Sequence, residues 1–347
     1  MKFLTVVLVF AGLLCVSVDA NAAMYADNFD DEVMDASLWS LISEGGDLTN
    51  LYESSGVLNL TSTGAYENSS KDYISKWAYN LNKNFRISAK FNYNYTGGGD
   101  SAVSMGIVGI DPDGSIGLHA GIRATRCDYP NYNGDYFKIA IEDASGQDVV
   151  PDQWYPRGIT AGYFSIEYDA KRDSITFAVF NNKKFTRKHQ VISYTYDNFS
   201  LLNLGAFRIY IGGYADGGAL LVEGEANLDN FKAKGDTKST DLTGTWTVKM
   251  NNVSMEGYTT EEVTMYITDQ QGNLFRGYVT PEDYPYTNFY GALVGKDIYI
   301  TFWDSTASGK MEKGGEKFSF VSQNQKYNPP NSPATAIGIA VKNKEGF

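Results

Sequence analysis

The stretch YFSIEYDAKRDSITFAVF (163–180) decides how this chain is read. Phe164, Ile166 and Tyr168 alternate with Ser165 and Glu167. Asp169-Ala170-Lys171-Arg172-Asp173 then supplies turn formers, and Ile175, Phe177 and Val179 resume the alternation. Apolar residues at period two on both sides of a turn spell a hairpin with one buried face. The same period runs through FRISAKFNYNY (85–95), where Phe85, Ile87, Ala89, Phe91, Tyr93 and Tyr95 share a face. It returns in AFRIYIGGY (206–214) and GALLVEGEANLDNFKA (218–233). No segment after residue 22 carries a helical stripe of useful length, so the fold class is all-β.

Composition agrees. The chain has 347 residues, with Gly 35, Tyr 25 and Phe 19 against Pro 9. Glycine-punctuated aromatic and β-branched sequence favours strands, and the length suits about two domains. A hydrophobic content of 43% supports a sizeable core. The net charge of −12 argues against a nucleic-acid partner, which needs a basic surface. It makes a neutral polymer easier to accommodate than a polyanion.

Residues 1–22 read as a processed leader. Lys2 precedes an apolar run from Phe3 to Val18 that is short for a membrane span, and Ala20-Asn21-Ala22 supplies a small-x-small cleavage site. Leu14 before Cys15 does not suit lipid attachment. A freely secreted product, extracellular or periplasmic, is expected, with no later membrane span. Cys127 is then the only cysteine of the mature chain and reads as a small buried hydrophobe.

The polar stretch KAKGDTKSTD (232–241) breaks the pattern and reads as the linker region. The expected units are a sandwich over 23–234, a linker over 235–241 and a second domain over 242–347. In the last, LTGTWTVKM (242–250), EVTMYITDQQGNLFRGYVT (262–280), FYGALVGKDIYITFW (289–303), KFSFVSQ (317–323) and ATAIGIAVK (334–342) form a hairpin series. That series predicts a smaller up-and-down barrel, with Trp246 as a plug at its base.

The first unit resembles the concanavalin A-like lectin/glucanase superfamily. The resemblance rests on DNFDDEVMDASLW (27–39), the 163–181 hairpin and the closing strand EGEANLDNFKA (223–233). It implies a two-sheet jelly-roll sandwich whose first and last strands pair. It also implies a structural calcium near those ends, with Asp27, Asp30 and Asp229 as candidate ligands beside Asp31. The second unit resembles a calycin-type barrel, the lipocalin and avidin class, on Gly244-Thr245-Trp246 and the meander after it. A Tyr- and Pro-rich loop, TPEDYPYTNFYG (280–291), would close a ligand cavity there.

Hydrolases of the superfamily carry Glu-x-Asp-x-x-Glu on a strand, where alternation aims carboxylates at one cleft. Here Glu167 and Asp169 match, but Arg172 takes the place of the second Glu and the segment runs into a turn. Glu223 and Glu225, with Asp229 beyond, share a strand face that is catalytic or simply solvated. There is no nucleophile elbow and no clustered His or Cys for zinc. His119 with a tyrosine would serve a lyase, although its apolar neighbours suit a packed structural residue. The basic run KKFTRKH (183–189) suits an acidic ligand or the exposed end of a hairpin.

Sugars are held by aromatic faces with planar polar groups beside them. RCDYPNYNGDYF (126–137) and PDQWYPRG (151–158) are richest in these, giving Trp154, Tyr155, Tyr129, Tyr132, Asp128, Arg126 and Arg157 as candidate ligand-binding residues, with Trp154 and Tyr155 expected in a loop. The missing catalytic motif ranks a secreted, non-catalytic glycan-binding protein first. A polysaccharide-degrading hydrolase or lyase comes second and an adhesive exoprotein third.

The triplet Asp-Asn-Phe occurs at 27–29, 197–199 and 229–231. The first and last copies are expected on neighbouring terminal strands. Leu228 and Phe231 differ in parity, so burying both requires a bulge at Asp229-Asn230.

Overall fold

The computed structural model describes residues 23–41, 49–63, 68–97, 100–110, 119–129, 132–143, 147–202, 206–216, 222–235, 240–254, 257–280, 288–302, 305–324 and 335–343. The leader expected over 1–22 lies outside them.

The chain folds into two sandwich sheets and a closed barrel. One sheet has nine strands. Its main order is Gln190–Asp197, Ser174–Phe180, Ala161–Asp169, Phe85–Tyr93, Val222–Gly235, Val57–Thr63 and Thr49–Ser54, and Ala23–Asp27 and Thr96–Gly97 also pair with Val222–Gly235. The other has eight. Its order is Gln153–Pro156, Tyr132–Ile141, His119–Tyr129, Asp100–Gly109, Ala206–Asp216, Asn68–Ser75 and Trp39–Leu41, with Tyr79–Asn80 on Ala206–Asp216. The alternating apolar residues of both sheets meet between them: Ile87, Phe91, Phe164, Ile166 and Phe177 from one, Met105, Ile107, Ile122, Phe137 and Ile209 from the other. Burying such side chains on both inner faces is what holds a sandwich together.

The first and last strands pair antiparallel, with Asp27 opposite Phe231. The register of Val222–Gly235 against Phe85–Tyr93 shifts between Asp229 and Lys232, and Asn230 adopts a φ of 52°. This bulge lets Leu228 and Phe231 both enter the core. The middle triplet ends a strand at Asp197 and leads into a short 3₁₀ turn at Phe199–Leu202.

The barrel has eight antiparallel strands from Gly244–Ser254 to Thr335–Lys342, and its last strand pairs with its first. Trp246 is fully buried, donates its Nε1–H to the Leu242 carbonyl at 2.9 Å and packs on Phe318.

Barrel and sandwich are joined by more than a linker. Asn273, in the turn after Gly257–Gln271, is buried against Ala78 of the sandwich. Its Oδ1 accepts from the Ala78 N–H at 2.8 Å and its Nδ2 donates to the Ala78 carbonyl at 2.7 Å. Around it, Ala78, Ile110 and Ala206 form one apolar cluster with Ala292 and Val294 of the barrel. Asn80 and Asn82 reach Asp297, which Lys310 also holds.

Candidate functional site

The two outer faces of the sandwich differ. On the nine-stranded sheet, Arg86, Glu167 and Glu225 stand exposed. On the eight-stranded sheet the outward residues are largely covered: Tyr210, Arg208, Val108, Ser104 and Cys127 are buried, and Asp72, His119, Arg123, Lys138, Glu142 and Trp154 are half-buried. A sheltered face that keeps polar groups partly open is the candidate for ligand contact.

The register aligns this face in rows. One row runs Trp154, Lys138, Arg123, Ser104, Gly212, Asp72 over six adjacent strands. At the usual strand spacing it spans about 24 Å. An aromatic ring stands at one end and a carboxyl at the other, and the centre is floored by small residues. Lys138 lies 4.9 Å over the Trp154 ring and pairs with Asp152 at 2.5 Å, while Tyr136 meets Trp154 edge-on. The Arg123 guanidinium lies 5.8 Å from the centre of the Tyr214 ring, from the next row.

A second feature sits beside this row. Gly106 and Gly121 lie side by side on neighbouring strands, in line with Tyr210. A Cβ on Gly106 would fall 2.2 Å from Tyr210 Cε1, and one on Gly121 would fall 2.1 Å from the Tyr210 hydroxyl oxygen. The tyrosine therefore lies flat across two strands and needs both glycines. Its hydroxyl ends above Gly121, between His119 and Arg123, and its ring centre is 4.8 Å from that of His119.

The electrostatics follow from this crowding. Burial pushes the His119 imidazole down to about 3, and the Arg123 and Lys138 charges push the same way. His119 is thus neutral at ordinary pH, and its buried Nδ1 has no hydrogen-bond partner. Burial pushes Asp72 up to about 7, with Arg123 pulling against it. Glu142 is also raised by burial. Shifted groups gathered on one sheltered face make it the candidate site of this chain.

Of the residues expected to hold a sugar, Trp154 lines this face. It lies on the strand Gln153–Pro156 rather than in a loop, because the strand pairs with Tyr132–Ile141 despite the prolines around it. Tyr155 points the other way and packs on the core. Arg157 lies 3.9 Å over the Tyr93 ring, and Arg126 and Arg157 both pair with Asp135. Asp128, Tyr129 and Tyr132 belong to a hairpin whose side chains at these positions lie outside the described residues. Glu167 is bound to Arg86 at 3.1 Å, Asp169 caps the turn through the Lys171 N–H, and Glu225 is exposed on the opposite sheet; the Glu223 side chain lies outside the described residues.

The expected calcium ligands do not converge. Asp229 is bound to Lys90 and Asn230, Asp30 is exposed, and Asp27 spends its oxygens on the Phe29 N–H and the Trp39 Nε1–H. Among the described residues no group of three or more His, Cys, Asp or Glu side chains suits a metal ion. The neighbour that Asp27 does meet is Glu53, which the sequence did not single out.

The barrel encloses a cavity of about 210 Å³ lined by Val248, Met265, Ile300, Phe318 and Phe320, with Ser305 and Ser322. Residues 281–287, the loop expected to close it, lie outside the described residues.

No family model and no curated protein matches the sequence. Solved structures similar in fold include lectin II from Ulex europaeus, at 13% identity and a TM-score of 0.42, covering 61% of this chain and 98% of that chain. Lectin I from Ulex europaeus, in complex with the methyl glycoside of α-L-fucose, shares 12% identity at a TM-score of 0.45, covering 62% and 98%. A chain described with the endo-acting O-glycanases that members of the human gut microbiota express to initiate mucin breakdown shares 14% at 0.41, covering 61% and 98%.

Proposed function

We propose that this is a secreted protein whose sandwich binds a carbohydrate chain along the sheltered face of the eight-stranded sheet. The observation that carries the reading is the row Trp154, Lys138, Arg123, Ser104, Gly212, Asp72: a stacking ring, charged hydrogen-bonding groups and a small-residue floor in one line. The barrel helps to bound this groove. Ile110 and Ala206 lie near Val108 and Arg208, at the His119 end, and pack on Ala292 and Val294. Soluble-glycan affinity electrophoresis tests the reading. Retardation by at least one polysaccharide is expected, weakened about tenfold or more by Trp154→Ala or Arg123→Ala, as for loss of a stacking or charged contact. A full panel of neutral and acidic glycans without retardation overturns it.

A second reading is favoured by the Tyr210 hydroxyl lying between neutral His119 and cationic Arg123. This trio suits an elimination in which neutral His119 takes the proton next to a carboxylate, Arg123 neutralises the charge that develops, the C–O bond to the leaving sugar breaks and the Tyr210 hydroxyl protonates the departing oxygen. Incubation with uronate polymers would then release unsaturated products, and Gly121→Ala would abolish them by displacing Tyr210. Product release unaffected by Gly121→Ala would assign the chemistry elsewhere.

A further inference from the structure

The chain's charge of −12 is not evenly spread. The outer face of the nine-stranded sheet, on the side away from the proposed groove, collects cations. Alternation places Arg86 and Lys90 outward on Phe85–Tyr93, and Lys232 and Lys234 outward after the bulge in Val222–Gly235. Lys234 lies opposite Arg86 and Lys232 opposite Ser88, so the two strands present their charges together.

The hairpin end at 181–189 adds to this face. Phe185 adopts a φ of 47°, a conformation that costs a non-glycine residue energy and needs outside support. The support is visible. Phe185 packs edge-on against Tyr163 and Phe180, and the Arg86 guanidinium lies 4.5 Å over its ring. Tyr163 and Arg86 both face outward, so the phenyl ring folds the hairpin end back onto the sheet. Lys183, Lys184, Arg187 and Lys188 remain exposed around it.

Three outward carboxylates of this sheet are paired, Glu167 with Arg86, Asp229 with Lys90 and Asp169 with Arg172, while Glu225 and Asp197 stand exposed on it. Among the described residues, no ion pair or hydrogen bond engages the side chains of Lys183, Lys184, Arg187, Lys188, Lys232 or Lys234. Self-repulsion among six free cations is tolerated at a cost that an anionic partner would relieve.

We infer that this face is a docking surface for an anionic polysaccharide, a single flexible chain bearing sulfate or carboxylate groups. The acidity of the rest of the chain decides the class. A duplex would bring a thick column of phosphates against the acidic remainder of the protein, and a membrane would bring a whole charged plane. A single polymer strand can cross the cationic face alone. Successive outward residues such as Lys232 and Lys234 stand about 7 Å apart along the strand, which suits a partner charged along its length. Attachment here would leave the sheltered face on the opposite sheet free.

The full chain is tested on immobilised dextran sulfate, with uncharged dextran, duplex DNA and phosphatidylglycerol vesicles alongside. Retention on dextran sulfate alone is expected, falling steeply with salt because the contact is electrostatic. Lys183→Glu, Lys184→Glu and Lys188→Glu together should weaken it by about tenfold or more. Lys232→Glu with Lys234→Glu should act in the same direction. These side chains are exposed or half-buried, and an unchanged unfolding midpoint confirms intact variants. No retention, retention unchanged in both variants, or equal binding to DNA or vesicles would each overturn the proposal.

Discussion

Replacing Asn273 with alanine is expected to lower the unfolding midpoint by several degrees and to separate the barrel's transition from the sandwich's. The amide is the only described group that satisfies both polar atoms of the Ala78 backbone across the domain boundary. Ala78 is fully buried among Ile110, Ala206, Ala292 and Val294, so water does not readily replace the lost partner. Leaving a buried donor and acceptor unmade costs about 1–3 kcal/mol each. The substitution thus removes about 2–6 kcal/mol from an interface that is otherwise a small apolar patch with a polar rim. Asn273→Asp should act in the same direction: it keeps an acceptor for the Ala78 N–H but sets a carboxylate against the Ala78 carbonyl. Differential scanning calorimetry reads the outcome. A variant that melts with the wild-type midpoint and a single unchanged peak would show the amide bridge to be energetically idle. Because the barrel packs at the His119 end of the groove, the same substitution should also weaken glycan binding without touching a groove residue.

This contact shows why part of the molecule was legible in the sequence and part was not. Strands with one buried face advertise themselves, because alternation is a local property: Phe164, Ile166 and Tyr168 had to share a face wherever the hairpin went. The bulge at Asp229-Asn230 was legible for the same reason, since Leu228 and Phe231 could not otherwise both be buried. Asn273 carries no such mark. It reads as an ordinary turn residue in Gln270-Gln271-Gly272-Asn273, and only the packing of one domain on the other gives it a buried partner.

The sheltered face was half legible. Trp154 stood out because a tryptophan among prolines is hard to bury, and it lies half-buried on that face, on the strand Gln153–Pro156. Its companions come from distant segments, Asp72, Arg123, Lys138 and Tyr210, and meet only through strand order. Segment HAGIRATR (119–126) held the local signal: His119, Gly121 and Arg123 alternate with Ala120, Ile122 and Ala124, so the polar set had to face away from the core. The neighbouring aromatics at 129 and 132 drew attention because they were dense in sequence, but density along the chain does not place side chains on a common face. Tyr155 illustrates this, since its adjacency to Trp154 is what turns it inward.

The second large effect is expected at Glu53. It is buried beside Asp27 and Asp31, and neither of its carboxylate oxygens makes a well-formed hydrogen bond. Burial foremost, then the Asp31 carboxyl and the Asp27 charge, push it from 4.5 up to about 8, while the nearby Val33 backbone amide offsets a little. A carboxyl whose folded value lies above its unfolded value holds its proton in the folded state after the unfolded chain has lost it. Stability therefore falls as pH rises from about 4.5 to about 8 and levels off beyond. A shift of this size corresponds to about 5 kcal/mol at most, and exposed Asp31 beside it brings in water, so about 2–4 kcal/mol is expected. Glu53→Gln keeps the shape and cannot ionise. It should match the wild type within about 1 kcal/mol at pH 5 and exceed it by about 2–4 kcal/mol at pH 8, measured by urea unfolding at both values. Asp27, raised mainly by burial, adds a slope of the same sign in both proteins, and its coupling to Glu53 is part of the difference that the glutamine variant reads. A glutamine variant that is less stable at pH 8, or a wild type that gains stability there on adding calcium, would show that a cation rather than a proton neutralises these carboxylates.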